Sequence, residues 1–164
     1  YVPSHLMRIA VCLDLEQNLD DAAESLAFLK GRDIKRPVQL RYMAAFLAEF
    51  PDDTVRDPRL ALQYAEKARQ SEPNKGWFEL GLAHYRLGNW QQALDALKPR
   101  QQPFDKNFEC YHWIFLAMTH WQLGQKQDAR RWFDKADNWI NEHPNKDPYL
   151  SRVRAEAREL MELD

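Results

Sequence analysis

One internal self-match constrains the fold of this chain more than any other feature. Trp77-Phe78-Glu79-Leu80-Gly81-Leu82-Ala83-His84-Tyr85-Arg86-Leu87-Gly88 aligns with Trp113-Ile114-Phe115-Leu116-Ala117-Met118-Thr119-His120-Trp121-Gln122-Leu123-Gly124, 36 residues further on. The Trp, first Leu, His, second Leu and Gly positions are identical, and the match continues past the glycine with Ala93 over Ala129 and Leu97 over Phe133. Trp77, Leu80, Gly81 and His84 fall at i, i+3, i+4 and i+7, so they share one face of a helix. A second helix must cover that face. The small residues Gly81 and Ala117 let it approach closely, Ala93 and Ala129 supply the small residue on the other side, and Gly88 and Gly124 end the first helix. The repeating unit is therefore a pair of helices joined by a turn.

This pattern resembles the tetratricopeptide repeat, in which Trp, Leu-Gly, an aromatic residue and a turn glycine precede a second helix with Ala, an aromatic residue, Ala and Pro. The resemblance implies an all-α, right-handed superhelix of antiparallel helix pairs. It implies about four repeats in one domain over 1–164, at about 4–31, 36–73, 74–106 and 110–143, with a capping helix over about 147–163. The second copy shows Leu40, Met43, Ala44 and Leu47 in front and Ala61, Ala65, Ala68 and Pro73 behind, but a longer loop, Phe50 to Pro58, replaces the usual tight turn. The first copy is carried by Leu6, Ile9, Ala10 and Leu13, then Ala22, Leu26 and Leu29. Asp147-Pro148 reads as an N-cap and first helical position. The stripe Leu150, Val153, Ala157 and Leu160 then suits a helix that closes the exposed end of a repeat array.

In finer detail, the Arg56-Asp57-Pro58 loop end, His84-Tyr85-Arg86-Leu87-Gly88 and Ala129-Arg130-Arg131-Trp132-Phe133 look like the repeat tails of large bacterial multidomain proteins, many with a serine/threonine kinase or other signalling module upstream. The chain opens Tyr1-Val2-Pro3 and its first copy begins almost at once, so a piece of a longer protein is expected.

The resemblance also implies where a ligand would sit: the concave wall lined by the front helices. Carried over residue by residue, the groove positions are Lys75, Phe78, Leu82, Tyr85 and Arg86 in the third copy and Tyr111, Ile114, Met118, Trp121 and Gln122 in the fourth. The second copy adds Val38, Arg41, Ala45, Ala48 and Glu49 in a register ambiguous by one residue. This wall is apolar and aromatic with Arg41 and Arg86 at its flank. Phe78 and Leu82 stand where a clamp for an acidic chaperone tail needs Lys and Asn, so an amphipathic helix or apolar peptide is the expected ligand. The alternative is that these residues pack against a neighbouring repeat or a return segment of the chain.

Other chemistry finds little support. His84 and His120 occupy equivalent repeat positions and read as structural rings; Cys110 and His112 face different directions on a helix, so no metal spacing results. Asp52, Asp53 and Asp57 lack the glycine and glutamate of an EF-hand and read as turn and cap residues. No phosphate-cradling loop or nucleophile elbow occurs, and neither an enzyme nor a cofactor is expected. Trp77, Trp113 and Trp132 read as repeat core and Trp139 as packing toward the cap.

Twenty-three Lys plus Arg against twenty-five Asp plus Glu leave a net charge of -2, which disfavours nucleic acid or an anionic membrane as partner. Arg130 and Arg131, with Lys98 and Arg100, form a basic spot that Asp128, Asp134 and Asp137 dilute, so a solvated helix face is expected there. Two cysteines without paired spacing suit a reducing compartment, and apolar runs such as Met43 to Ala48 fall far below the ~20 residues of a membrane span, so a cytoplasmic setting is expected. The functional expectation is a non-catalytic protein-interaction module. Its rivals are a self-association domain and a regulatory segment docking on its own catalytic domain.

Overall fold

A computed structural model describes residues 18–98, 106–144 and 147–163. Those residues are all-α, with eight helices and no strand among them. They fall into two compact units, Tyr1–Asn89 and Trp90–Asp164. The expected front helix of the first copy lies outside the described residues.

The first unit contains α1 (Leu19–Lys30), α2 (Pro37–Glu49), α3 (Pro58–Ser71) and α4 (Trp77–Arg86). The helix α2 packs on both α3 and α4, and α3 packs on α4. Close packing is possible because α3 offers alanines: Ala61, Ala65 and Ala68 are buried, as are the larger Leu40, Met43 and Leu47 of α2 and Leu82 of α4. The long loop between α2 and α3 is closed by its own hydrogen bonds. Asp57 N–H donates to the Leu47 carbonyl at 2.9 Å, and Arg56 Nε donates to the Phe50 carbonyl at 3.0 Å. The acidic residues of this loop take the turn and cap roles expected of them: Asp52 Oδ1 accepts from Thr54 N–H and Oγ1, Asp53 pairs with Arg56, and Asp57 caps α3 through Leu60 N–H.

The second unit contains α5 (Trp90–Leu97), α6 (Lys106–Gln122), α7 (Lys126–Glu142) and α8 (Pro148–Leu160). The helix α6 begins at Lys106, ahead of the expected start of the fourth copy near Cys110. Its central stretch from Ile114 to Thr119 is buried throughout, because α5, α7 and α8 all pack on it. Ala129, Phe133 and Ala136 form the buried stripe of α7. Asp147 caps α8 by accepting from Tyr149 N–H at 2.9 Å and Leu150 N–H at 3.2 Å, and Leu150, Val153 and Ala157 are buried.

The self-match in sequence is also a match in backbone geometry. Gly88 and Gly124 both have φ 75°, a left-handed conformation that glycine adopts without a Cβ penalty. At each turn the residue after the glycine donates back to a histidine carbonyl: Asn89 to His84 and Gln125 to His120, both at 2.9 Å. The glycine itself donates to the next carbonyl, Tyr85 or Trp121, at 3.0 Å. This pair of bonds satisfies carbonyls that the end of a helix would otherwise orphan.

Candidate functional site

Three kinds of environment separate the side chains expected on a ligand-binding wall. The first is burial. Leu82, Tyr85, Ile114 and Met118 are core residues, with Ile114 and Met118 at 0% exposure and Leu82 at 1%. The groove assignment is corrected for these four: a partner cannot reach a side chain without accessible surface. Ala48 and Glu49 are buried as well.

Internal ion pairs hold a second group. Arg86 donates from Nε to Glu49 Oε1 at 2.8 Å and from Nη2 to Glu49 Oε2 at 3.0 Å, a two-pronged bridge between α4 and α2. The side chains are only 12% and 7% exposed. Arg41, expected at the flank of the wall, points instead at two carboxylates, Glu72 Oε2 at 2.5 Å and Glu79 Oε1 at 3.7 Å. Lys75 completes the cluster from solvent by donating to Glu72 Oε1 at 3.0 Å. Hydrogen bonds from Lys75 and Arg41 lower the Glu72 pKa, whereas burial raises that of Glu79 against the opposing pull of its backbone hydrogen bond and Arg41. Tyr111 is engaged within the second unit: its hydroxyl bonds to the Asp147 carboxylate and its ring lies 4.9 Å from that of Tyr149.

The third group keeps accessible surface. Lys75 and Gln122 are exposed; Val38 is 36% exposed; Ala45, Phe78 and Trp121 are half-buried. Lys126 Nζ lies 3.1 Å from the Trp121 ring centroid, a cation–π contact that fixes the indole. Two accessible aromatics escaped the sequence reading. Tyr42, 53% exposed, stacks on Phe46 with ring centroids 6.3 Å apart, and Val38 extends the same stripe on α2. Their spacing at i, i+4 and i+8 was the available signal.

The tryptophans assigned to the repeat core sit at its edge. Trp77, Trp113 and Trp132 are half-buried and covered by cations: Arg69 over Trp77, and Lys135 over both Trp113 and Trp132. Trp139 stacks on His143 at 4.6 Å, and its indole nitrogen is buried with no hydrogen-bond partner.

The titratable groups are structural in their surroundings. His84 is half-buried with Nδ1 3.4 Å from the Asn89 amide, and burial lowers its pKa against the opposing charge of Glu66. His120 stands in the equivalent relation to Gln125, 2.5 Å away. His112 bonds to the Leu97 carbonyl, and burial lowers its pKa too. Burial pushes the Cys110 thiol up to about 12, and the thiol donates weakly to the Ala136 carbonyl at 3.7 Å. Among the described residues no group of three His, Cys, Asp or Glu side chains is placed to hold a metal ion. No helix among them is long and apolar enough to cross a membrane. A cleft of about 470 Å³ opens between α7 and α8, lined by Ile140, Leu150, Arg154 and Arg158 among others. Its charge is answered internally, since Arg154 bridges Asp137 at 2.7 Å and Asn141 at 3.0 Å.

No curated protein and no solved structure matches the chain. Residues 54–105, about a third of the chain, match the family model described as tetratricopeptide repeat, a family of generally non-catalytic repeats that mediate protein–protein interaction.

Proposed function

We propose that this chain is a non-catalytic protein-interaction module of a larger cytoplasmic signalling protein, and that it binds a peptide or helix through the accessible side chains of its front helices. The observation that carries this reading is the twice-repeated helix–glycine–helix turn, which coincides at Gly88 with the tetratricopeptide match over 54–105. The ligand-contacting residues on this reading are those with remaining surface: Lys75 and Phe78 on the first unit, Trp121 and Gln122 on the second. Rigid rings bury much area at low ordering cost, so Phe78 and Trp121 are the anchors.

Partners captured from a lysate on the wild-type chain are to be compared with those on Phe78→Ala and Trp121→Ala variants, after circular dichroism has shown all three folded. Loss of a discrete set of partners from either variant supports the reading. An unchanged set moves recognition to another surface. Self-association is a second reading, favoured by Val38 and Tyr42, exposed on α2 beside the half-buried Phe46. A concentration-dependent mass that Tyr42→Glu abolishes would establish it.

A further inference from the structure

Trp77, Trp113 and Trp132 each carry a cation over the ring, but the cations are not held alike. Over Trp77 lies Arg69, 3.2 Å from the ring centroid and pinned by hydrogen bonds from Nη1 to the Pro73 carbonyl at 2.9 Å and the Lys75 carbonyl at 3.4 Å. Lys135 differs in two ways. Its Nζ is shared by two indoles, 4.2 Å from the Trp113 centroid and 5.2 Å from that of Trp132, and it makes no hydrogen bond or ion pair among the described residues. The contact between α6 and α7 builds this arrangement. Trp132 and Lys135 stand at i and i+3 on α7, and the bond from Cys110 to the Ala136 carbonyl, one turn away, sets the register that brings Trp113 of α6 against them. Arg131 approaches the Trp132 ring at 5.8 Å, but its charge is answered by Asp128 at 3.0 Å. Two ring faces on one ammonium favour a methylated ammonium over a primary one. The ring quadrupole attracts either cation, but a primary ammonium gives up strong hydration to reach it, and methylation removes much of that cost. Lys135 is an exposed residue held by ring contacts alone, so an incoming cation has only those contacts to replace.

We infer that Trp113 and Trp132 form a two-walled cage for the trimethylammonium head of a methylated lysine on a partner protein, and that Lys135 occupies the cage until the partner arrives. Both rings are half-buried, so the cage opens to solvent. It admits a side chain that enters head first but does not enclose a free small molecule, which leaves the remaining contact to the chain that carries the lysine. The inference goes beyond the reading above, which rests on Phe78 and Trp121; Trp121 has its own cation in Lys126. At Trp77 the same chemistry is closed off, because the covering Arg69 is held by the α3–α4 linker as well as by the ring.

The test is a nuclear magnetic resonance titration of the whole chain, read at the indole N–H signals of Trp113 and Trp132. Three probes are peptides of about nine residues, alanine and glycine around a central trimethyl-lysine, a plain lysine, or the neutral isostere in which a tert-butyl group replaces trimethylammonium; the fourth probe is choline. The trimethyl-lysine peptide is expected to shift both signals and to bind at least about fivefold more tightly than each of the other three. Lys135→Gln, which removes the resident cation, should strengthen that binding several-fold, whereas Trp132→Ala should abolish it. Phe78→Ala, on the other unit, should leave it unchanged, so the two readings can fail separately. Should Trp132→Ala not fold, the gain on Lys135→Gln decides, because it changes an exposed side chain. The inference is overturned if the trimethyl-lysine peptide shifts neither signal up to about 50 mM, if the lysine or tert-butyl peptide or choline binds as tightly, or if Lys135→Gln leaves the affinity unchanged or lowers it.

Discussion

The Glu49–Arg86 bridge gives the sharpest test of which front-helix residues are structural. At an effective dielectric of about 20, two unit charges about 4 Å apart attract by about 4 kcal/mol. Removing both ions from water costs several kcal/mol each, so the intact pair contributes little net stability. Deleting one partner is different, because the survivor stays buried at 12% or 7% exposure without an answering charge. Arg86→Met and Glu49→Gln are each expected to cost about 3 kcal/mol. The double replacement Glu49→Leu/Arg86→Met, which fills the space with apolar side chains, should cost less than either single change. Urea unfolding would be followed by circular dichroism and by the fluorescence of Trp77, the first unit's only tryptophan. In a chain of this length 3 kcal/mol corresponds to about 6–12 °C in Tm. Singles costing under about 1 kcal/mol, or a strictly additive double, would refute the buried pair and return Glu49 and Arg86 to the pool of partner-binding residues.

Three further outcomes follow from burial. Met118→Glu places a carboxylate at a position of 0% exposure on α6 and should abolish cooperative unfolding, while Met118→Leu should cost less than about 1.5 kcal/mol; a folded Met118→Glu protein would show that the side chain faces solvent. Cys110, buried and with its thiol pushed up to about 12, should resist a maleimide in a Cys12→Ser background and label fully only in denaturant, and rapid native labelling would contradict its placement. His84 and His112 both have folded pKa values below the ordinary 6.5, so the unfolded chain binds more protons near that pH. Their stability contribution is therefore complete above about 6.5 and is lost as pH falls toward the folded values; Tm should drop between about pH 7 and 5, and His112→Gln should flatten the drop.

Helix pairing was legible because it is encoded locally. A 3.6-residue period places Leu80, Gly81 and His84 on one face, Gly88 and Gly124 supply the left-handed turns, and Asp57 and Asp147 sit beside Pro58 and Pro148 as caps. The candidate site was less legible because accessibility depends on what covers a face, and the covering residues are distant in sequence. Tyr111 is met by Asp147 and Tyr149, Arg41 by Glu72 and Glu79, and Arg86 by Glu49. Periodicity indicates that Met118 and Trp121 lie near one another on α6, yet only packing makes the first core and leaves the second accessible.

Charge obeys the same logic. A count along α7 sets Asp128, Asp134, Asp137 and Glu142 against Lys126, Arg130, Arg131 and Lys135, an even balance. Coulomb energy depends on distance rather than sequence order, and Asp137 is spent on two arginines of α8 while Asp128 is spent on Arg131. Asp137 is therefore answered from α8 and not by the cations of its own helix. Removing both arginines, by Arg154→Met and Arg158→Met together, should leave that carboxylate, only 20% exposed, without its answering charges and lower the Tm. An unchanged Tm in the double variant would show that this pairing between α7 and α8 contributes no net stability.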